Sequence, residues 1–562
     1  MTASPSYVQG ASTQTLLGDT IGTLLERIAA THPDRPALVV REQGVRMDYR
    51  AFDAEVERLA AGLLALGLAR GERIGIWAPN RAEWVLLQFA APRAGLILVN
   101  INPAYRLHEL EYALNKVQCR ALVLPRRFKT SHYLDMLRAL APELDAAAPG
   151  GLAAVRLPEL REVILLDDAP APGTRAWREL ATLADAEALA RLRALQGELS
   201  FDDPVNIQFT SGTTGAPKGA TLTHHNIVNN GWFIGEAMRL SEQDRLCIPV
   251  PFYHCFGMVL GNLACVTHGA CMVIPGEGFD ALSTLETVAE ERCTGLHGVP
   301  TMFIAELEHP RFREFDLSSL RTGIMAGSPC PIEVMRRVVS EMHMDQITIA
   351  YGMTETSPVS FQTVPDDPLE RRVDSVGRIH PHLEVKLVDG QGRIVPRGET
   401  GELCTRGYSV MLGYWQDAAR TREAIDEARW MHTGDLAVLD EDGYCRIVGR
   451  LKDMIIRGGE NIYPREIEEF LYTHPKVLDV QVFGVPDAKL GEAVCAWVRL
   501  REGHGASEAE IQDYCRHHLA YFKVPHHVRF VETFPMTVTG KVQKYLMSQA
   551  MAAELAARKA AD

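Results

Sequence analysis

Apolar residues along 49–66 recur at Phe52, Val56, Leu59, Ala60, Leu63 and Leu64, one face of a helix. The pattern then predicts a buried strand over 72–78, a helix over 84–94 and a strand over 96–100. Strands alternating with helices predict a mostly parallel α/β sheet. The stretch 256–276 holds no Asp, Glu, Lys or Arg, but Gly257, Gly261, Asn262, His268, Gly269 and Pro275 interrupt it. It reads as a buried helix, a turn at His268-Gly269 and a strand over 270–274, not as a membrane span. The Ala/Pro/Gly-rich stretches 146–156 and 167–174 predict surface connections.

After Val373 the texture changes. Strand patterns at 383–388, 393–395, 402–406 and 444–448 are separated by Asp389-Gly390, Pro396-Arg397-Gly398 and Asp442-Gly443, which predicts an antiparallel β unit. Beyond Arg450 the pattern predicts a helix over 465–473 opened by Pro464, strands over 477–485 and 492–500, a helix over 508–518 and an Ala-rich helical tail over 544–561. The expected fold is α/β: a large N-terminal domain over 1–451, α/β sheets plus the antiparallel unit, and a small mobile α+β domain over 452–562.

The chain has 562 residues and a formal net charge of −14, with 14 basic and 15 acidic residues from Lys452 onward. That balance argues against nucleic acid as a partner. Eleven scattered cysteines without a CxxC pair, and a first thirty residues lacking a basic start followed by an apolar run, point to a reduced, cytoplasmic protein. The pairs His224-His225, His517-His518 and His526-His527 are poor chelators, because neighbours on one element do not face one site. No GxSxG elbow or strand-linked GxGxxG is present.

The strongest chemical signal is Thr210-Ser211-Gly212-Thr213-Thr214-Gly215-Ala216-Pro217-Lys218-Gly219, between an expected strand at 205–209 and a strand-like 220–223. Its three glycines and four hydroxyl residues can wrap N–H and O–H donors around phosphate oxygens, and Lys218 adds a point charge. It does not fit the Walker pattern. Tyr351-Gly352-Met353-Thr354-Glu355 brings a carboxylate of the type Mg²⁺ prefers. Asp435, in Met431-His432-Thr433-Gly434-Asp435, can accept from two vicinal hydroxyls.

These strings, in this order, resemble the adenylate-forming superfamily of acyl-CoA synthetases, luciferases and peptide-synthetase adenylation domains. The likeness is carried by residues 210–541; the first 200 residues fit in texture only. The resemblance implies a phosphate loop at Thr210, Ser211, Gly212, Thr213, Thr214, Gly215 and Lys218. It implies Tyr351 and Gly352 near adenine, Thr354 on the α-phosphate and Glu355 on Mg²⁺. Asp435 and Arg450 would hold the ribose. The string Gly449-Arg450-Leu451-Lys452-Asp453 would place a hinge at Lys452, with Arg457, Gly458 and Gly459 toward coenzyme A. In Pro535-Met536-Thr537-Val538-Thr539-Gly540-Lys541, Lys541 would be the catalytic lysine, offsetting charge that builds on the transferring oxygens.

On the acyl side, Pro251-Phe252-Tyr253-His254-Cys255-Phe256-Gly257 resembles the string before the acyl pocket, with His254 near the carboxylate. Phe252, Phe256, Met258 and Met325 would wall the pocket, and Gly327, Ser328 and Pro329 would line the floor between acyl group and adenine. Amino-acid-activating relatives carry an Asp here to pair the substrate ammonium; no acid lies between Arg245 and Gly276, which disfavours an amino-acid substrate.

The implied reaction is a two-step ligation. A fatty acid, expected to be of medium length, attacks ATP to give acyl-AMP and pyrophosphate, and coenzyme A then displaces AMP. Short branched, aromatic and dicarboxylic acids stay open as substrates. Alternatives are a carrier protein or oxygen as acceptor, or a nucleotide sensor without catalysis.

Overall fold

The computed structural model describes residues 4–167, 169–210, 217–328, 330–457, 460–487, 489–536 and 542–561, with side chains described as far as Leu555.

Two large sheets share one core. The first runs Gly413–Tyr414, Lys218–Thr223, Pro204–Thr210, Ile97–Asn100, Arg73–Ile76, Cys119–Leu124, Glu162–Leu165 and Arg175–Ala176. It is parallel from Pro204–Thr210 onward and antiparallel at the Lys218–Thr223 edge. The second has nine strands, with Gln346–Gly352, Thr322–Met325, Gly295–Gly298, Arg245–Cys247, Cys271–Ile274 and Pro36–Val40 forming its parallel centre. Helices Ile21–Thr31, Tyr49–Ala65, Ala82–Arg93 and His224–Met238 pack between the sheets. Ile74 and Leu98 of one sheet and Leu246, Met272 and Ile324 of the other meet them in a single buried cluster.

The apolar stretch at 256 is wound as a π-helix over Phe256–Leu263, continues as α-helix over Ala264–His268 and stops at Gly269, whose φ is +69°. Its backbone lies so close to the preceding loop that a Cβ on Gly257 would come 2.5 Å from the Pro251 carbonyl oxygen. Wide π turns recur at functional sites. A buried amide network anchors this helix to the first sheet: Asn206 Nδ2 donates to Asn100 Oδ1, Gln208 Nε2 to Asn206 Oδ1, and Asn100 Nδ2 to the Tyr253 carbonyl.

The antiparallel unit has five strands: Tyr7–Gln9, Leu383–Val388, Gly401–Gly407, Met431–Leu439 and Cys445–Arg450. Two points differ from the pattern reading. The expected strand at 393–395 reduces to a single bridge, Ile394 to Val388. The sheet's edge is instead Tyr7–Gln9, which pairs with Leu383–Val388 in the register Tyr7↔Lys386. The stretch 146–156 is also not wholly a surface connection: Leu152 and Ala154 are buried with Leu140, Leu144 and Leu157, because its few apolar side chains fall on the inner side. In 167–174, Thr174 is buried and its hydroxyl closes a turn on Ala171; Asp168 lies outside the described residues.

From Ile455 onward a separate sheet forms, ordered Glu460–Ile462, Ile455–Arg457, Gly491–Leu500 and Val477–Asp487, with His527–Phe530 added parallel to Gly491–Leu500. Helices Pro464–Tyr472 and Glu508–Arg516 cover it. The tail helix Lys544–Ala561 contributes Met547 and Met551 to a cluster with Phe483, Trp497 and Phe534. Among the described residues no helix is long and apolar enough to cross a membrane.

Of the paired histidines, His224 is a core residue. His224 is buried and accepts the Ile21 amide N–H on Nδ1 at 3.0 Å. Burial pushes His224 and His297 down to about 4 and His380 to about 3. The folded chain therefore refuses protons that the unfolded histidines take up below about pH 6.5. Stability is full above that value and falls as pH drops toward 4. Urea denaturation between pH 7 and 5 is expected to show this loss, and His224→Gln to flatten the slope near pH 5 by about 1.4 kcal/mol per pH unit. An unchanged slope would place the acid-sensitive groups elsewhere.

Candidate active site

Of the expected nucleotide residues that are described, Gly327 and Ser328 follow one parallel strand of the second sheet, and Tyr351, Gly352 and Thr354 lie at the end of its neighbour. In open α/β sheets the crevice beyond the carboxyl ends of strands is where ligands bind. Strand Thr322–Met325 ends at Ala326-Gly327-Ser328, and its neighbour Gln346–Gly352 ends at Met353-Thr354-Glu355. Gly327 takes a φ of +93°, a conformation that turns the chain away from the strand. Gly352 sits against the following segment so tightly that a Cβ would lie 1.7 Å from the Pro358 carbonyl oxygen. Thr354–Thr356 then forms one 3₁₀ turn that holds Thr354 and Glu355 buried.

Glu355 joins three distant segments. Its Oε1 accepts from Thr210 Oγ1 at 3.1 Å and from the Tyr414 hydroxyl at 2.9 Å. The Tyr414 oxygen in turn receives Lys218 Nζ at 3.4 Å, and the ammonium lies 4.5 Å from the tyrosine ring centroid. Burial, reinforced by Glu355, raises the Tyr414 pKa, so this phenol stays a donor to the carboxylate. Tyr414 was invisible as a site residue in the sequence. Its only local mark is the preceding Gly413, and its place follows from the two-residue strand that pairs it with Ala220, just after the expected phosphate loop.

A second cluster forms around Asp435, which is buried. Its Oδ2 accepts the Tyr351 hydroxyl at 2.6 Å and its Oδ1 accepts Arg450 Nε at 3.0 Å, across the strand pair that sets Asp435 opposite Arg450. Tyr351 precedes Glu355 by four residues, so the two clusters adjoin. Each oxygen of Asp435 keeps a lone pair for a further hydroxyl.

Phe252, Phe256 and Met258 are buried in the inter-sheet cluster near His254, and the Met258 sulfur accepts Gln208 Nε2 at 3.1 Å. His254 is half-buried, and its Nδ1 accepts the Phe256 amide at 3.1 Å. Met325 does not join that wall. Alternation along its strand sends Ile324 and Ala326 to the inter-sheet side and Met325 into the opposite cluster with Phe303 and Phe361. Next to the His254 loop lies a cavity of about 450 Å³ bounded by Pro251, Tyr253, Phe279 and Met302 and, from the C-terminal part, by Arg499 and Met536. Arg457 is half-buried and donates to the Phe522 carbonyl at 2.8 Å; Lys452 lies in the turn after Arg450. Ser211, Gly212, Thr213, Thr214, Gly215, Pro329, Gly458, Gly459 and Lys541 lie outside the described residues.

The model of the AMP-binding enzyme family matches residues 25–415, and that of the AMP-binding enzyme C-terminal domain matches 466–541. The chain belongs to the AMP-binding enzyme family. The family match takes in residues 25–200, where sequence motifs are lacking. The mitochondrial medium-chain acyl-CoA ligase ACSF2 of Danio rerio is 50% identical over 553 residues, 98% of this chain and 91% of that protein. The putative acyl-CoA synthetase YngI of Bacillus subtilis is 52% identical over 535 residues, 95% of this chain and 97% of that protein. Among solved structures, the anthranilate CoA ligase AuaEII in complex with anthranoyl-AMP superposes with a TM-score of 0.84 at 26% identity, covering 96% of this chain and 99% of the other. ATP-bound MatB from Rhodopseudomonas palustris gives 0.81 at 28% identity, covering 95% and 99%.

For this AMP-binding enzyme, Tyr414→Phe deletes the hydroxyl between Glu355 and Lys218 while keeping the ring. A hydrogen bond to a charged group is worth about 1.5–3 kcal/mol, so pyrophosphate release with ATP and an acid should slow roughly 10- to 100-fold. The thermal midpoint should move little. Wild-type rates in the variant would remove Tyr414 from the site.

Proposed function

We propose that this protein is an ATP-dependent acid–CoA ligase that activates a medium-chain fatty acid. In the first step a carboxylate oxygen attacks the α-phosphorus of ATP and pyrophosphate leaves, giving acyl-AMP. In the second step the coenzyme A thiol attacks the acyl carbon, AMP leaves and the thiol proton is released. Activation is needed because a carboxylate is a poor electrophile, whereas the mixed anhydride has a good leaving group. The observation that supports the reading is the convergence of Lys218, Glu355 and Asp435, from segments more than 200 residues apart at their extremes, around the end of strand Gln346–Gly352. The medium-chain assignment is supported by the full-length likeness to ACSF2.

In this reading Lys218, with Thr210 and the hydroxyls and amides of 211–215, holds the phosphates, and Thr354 contacts the α-phosphate. Asp435 and Arg450 hold the ribose, with Tyr351 and Gly352 beside the adenine and Gly327, Ser328 and Pro329 beneath it. The residues fit a magnesium ion: among the described residues Glu355 Oε1 accepts two hydroxyls while Oε2 accepts nothing, which leaves one buried-site carboxylate oxygen for a hard cation. Bound there with phosphate oxygens, Mg²⁺ would offset charge on the triphosphate. Phe252, Phe256 and Met258 form the apolar wall for the acyl chain, with His254 near its carboxylate.

The proposed division into 1–451 and 452–562 is supported by core clusters that draw only on residues after 454. Rotation about Lys452 would present Lys541 for adenylation and the Arg457-Gly458-Gly459 side for thioester formation. Met536, five residues before Lys541, lines the same cavity as Tyr253, beside His254. The proposed compartment is the cytoplasm, which suits eleven cysteines that are all buried and outside any disulfide.

Lys541→Ala is expected to slow acyl-AMP formation roughly 100- to 1,000-fold, while thioester formation from supplied acyl-AMP and coenzyme A continues. Survival of the first half-reaction with loss of the second would refute the role given to Lys541. A panel of acids of graded length, scored by AMP production with coenzyme A present, should peak at medium chains. Absence of AMP with every acid would refute the function.

A further inference from the structure

The strand that carries Asp435 departs from regular pairing just before it. Cys404 faces His432 and Glu402 faces Leu436, so Thr433, Gly434 and Asp435 bulge opposite the single residue Leu403. Gly434 takes a φ of +71° within that bulge. The bulge is tied down at several points. Thr433 Oγ1 donates to the Leu403 carbonyl at 2.7 Å and accepts the Asp435 amide at 3.1 Å, and the Leu451 amide donates to the Gly434 carbonyl at 2.9 Å.

The one carboxylate among these ties is Glu402. Its Oε1 accepts the Gly434 amide at 3.3 Å and its Oε2 lies 3.0 Å from His432 Nδ1, so one side chain grips the residues on both sides of Thr433. The Cys404 sulfur lies 3.5 Å from the same imidazole nitrogen, and Asp426 Oδ2 lies 3.9 Å from Nε2. With these partners the imidazole's pKa is pushed up to about 10, by Cys404 first and then Glu402. The raised value favours the imidazolium, and Nδ1–H donates to the carboxylate, which can only accept. Among the described residues Glu402 forms no hydrogen bond or ion pair with the expected nucleotide contacts; Tyr351 and Arg450 hold the Asp435 carboxylate.

We propose that Glu402 is a positioning residue for nucleotide recognition: by gripping His432 and the Gly434 amide it fixes the bulge that aims the Asp435 carboxylate at the ribose hydroxyls. The assignment rests on the reading of Asp435 as the ribose ligand. A bulge with a glycine at positive φ has alternative backbone states, and the charge-assisted contact at His432 with the amide contact at Gly434 selects one of them. The effect of losing Glu402 is therefore on discrimination between sugars and on KM for ATP, not on the chemistry at the α-phosphate.

The test compares kcat/KM for ATP and for 2′,3′-dideoxy-ATP with a good acid substrate and coenzyme A, in wild type, Asp435→Ala, Glu402→Gln, Glu402→Ala and the double variant Glu402→Ala/Asp435→Ala. Wild type should prefer ATP, and Asp435→Ala should erase the preference. Glu402→Ala should cut it roughly tenfold, as expected for loss of a charge-assisted contact, chiefly through KM. Glu402→Gln keeps an acceptor and should fall between. The double variant should match Asp435→Ala alone, because Glu402 acts only through Asp435. Thermal midpoints verify that each variant is folded, and Glu402→Gln, which preserves shape, carries the test if the alanine variant is not. If Asp435→Ala loses the preference while both Glu402 variants keep it, the positioning role is overturned and the ribose reading stands. If wild type treats the two nucleotides alike, the ribose reading fails and the role of Glu402 falls with it.

Discussion

An ionised carboxylate is costly to bury without donors around it, and Glu355 finds its donors on two other segments. Thr210, at the end of one sheet's strand, and Tyr414, on a two-residue edge strand far along the chain, both give it hydroxyl hydrogens. That requirement fastens the first sheet to the second at the place where the expected phosphate loop begins and ends. Lys218 is drawn in by the same tyrosine oxygen. The arrangement is polar but not self-neutralised: the bonds to Glu355 come from neutral hydroxyls, and its second oxygen is left for something else. Pairing Glu355 directly with Lys218 would have made a satisfied ion pair with less to offer a triphosphate and its cation.

Asp435 follows a different logic. Its contacts come from a tyrosine at the end of a parallel strand and an arginine across an antiparallel pair, so the antiparallel unit and the second sheet meet at one carboxylate. The two carboxylates together make the candidate site a junction of three sheets. The sheets share apolar cores elsewhere, but at this junction the side chains that converge are polar. Convergence at margins leaves a crevice, where burial of apolar surface would have closed it.

Much of this was legible from residue order. The alternation of helix and strand over the first hundred residues, the helix–turn–strand at 256–276 and the sheet after 455 all emerged within a few residues of their expected bounds, because each has a strong local pattern. What escaped were features whose cause is non-local. Tyr7–Gln9 is three residues long and is a strand only because Leu383–Val388 lies beside it. The stretch 146–156 is largely the surface connection its composition predicts, but Leu152 and Ala154 turn inward with Leu157 into a core cluster. At the site, motif strings located Thr210, Lys218, Glu355, Asp435 and Arg450, since loops rich in Gly, Thr and Asp stand out. Tyr414 and Glu402 did not stand out, because a lone tyrosine or glutamate in a strand has no signature until its neighbour across the sheet is known. Met325 was placed on the acyl wall by proximity in sequence, and the two-residue period of a strand turned it the other way.

The edge strand at the amino terminus also bears on how the chain is made. Tyr7 and the Glu384 it bonds are 377 residues apart, and among the described residues that strand pairs only with Leu383–Val388. At typical synthesis rates the first ten residues wait roughly 20–75 s on the ribosome before their partner exists. The antiparallel sheet is therefore closed late, by a segment made long before its partner, and the residues between them take form with that edge still open.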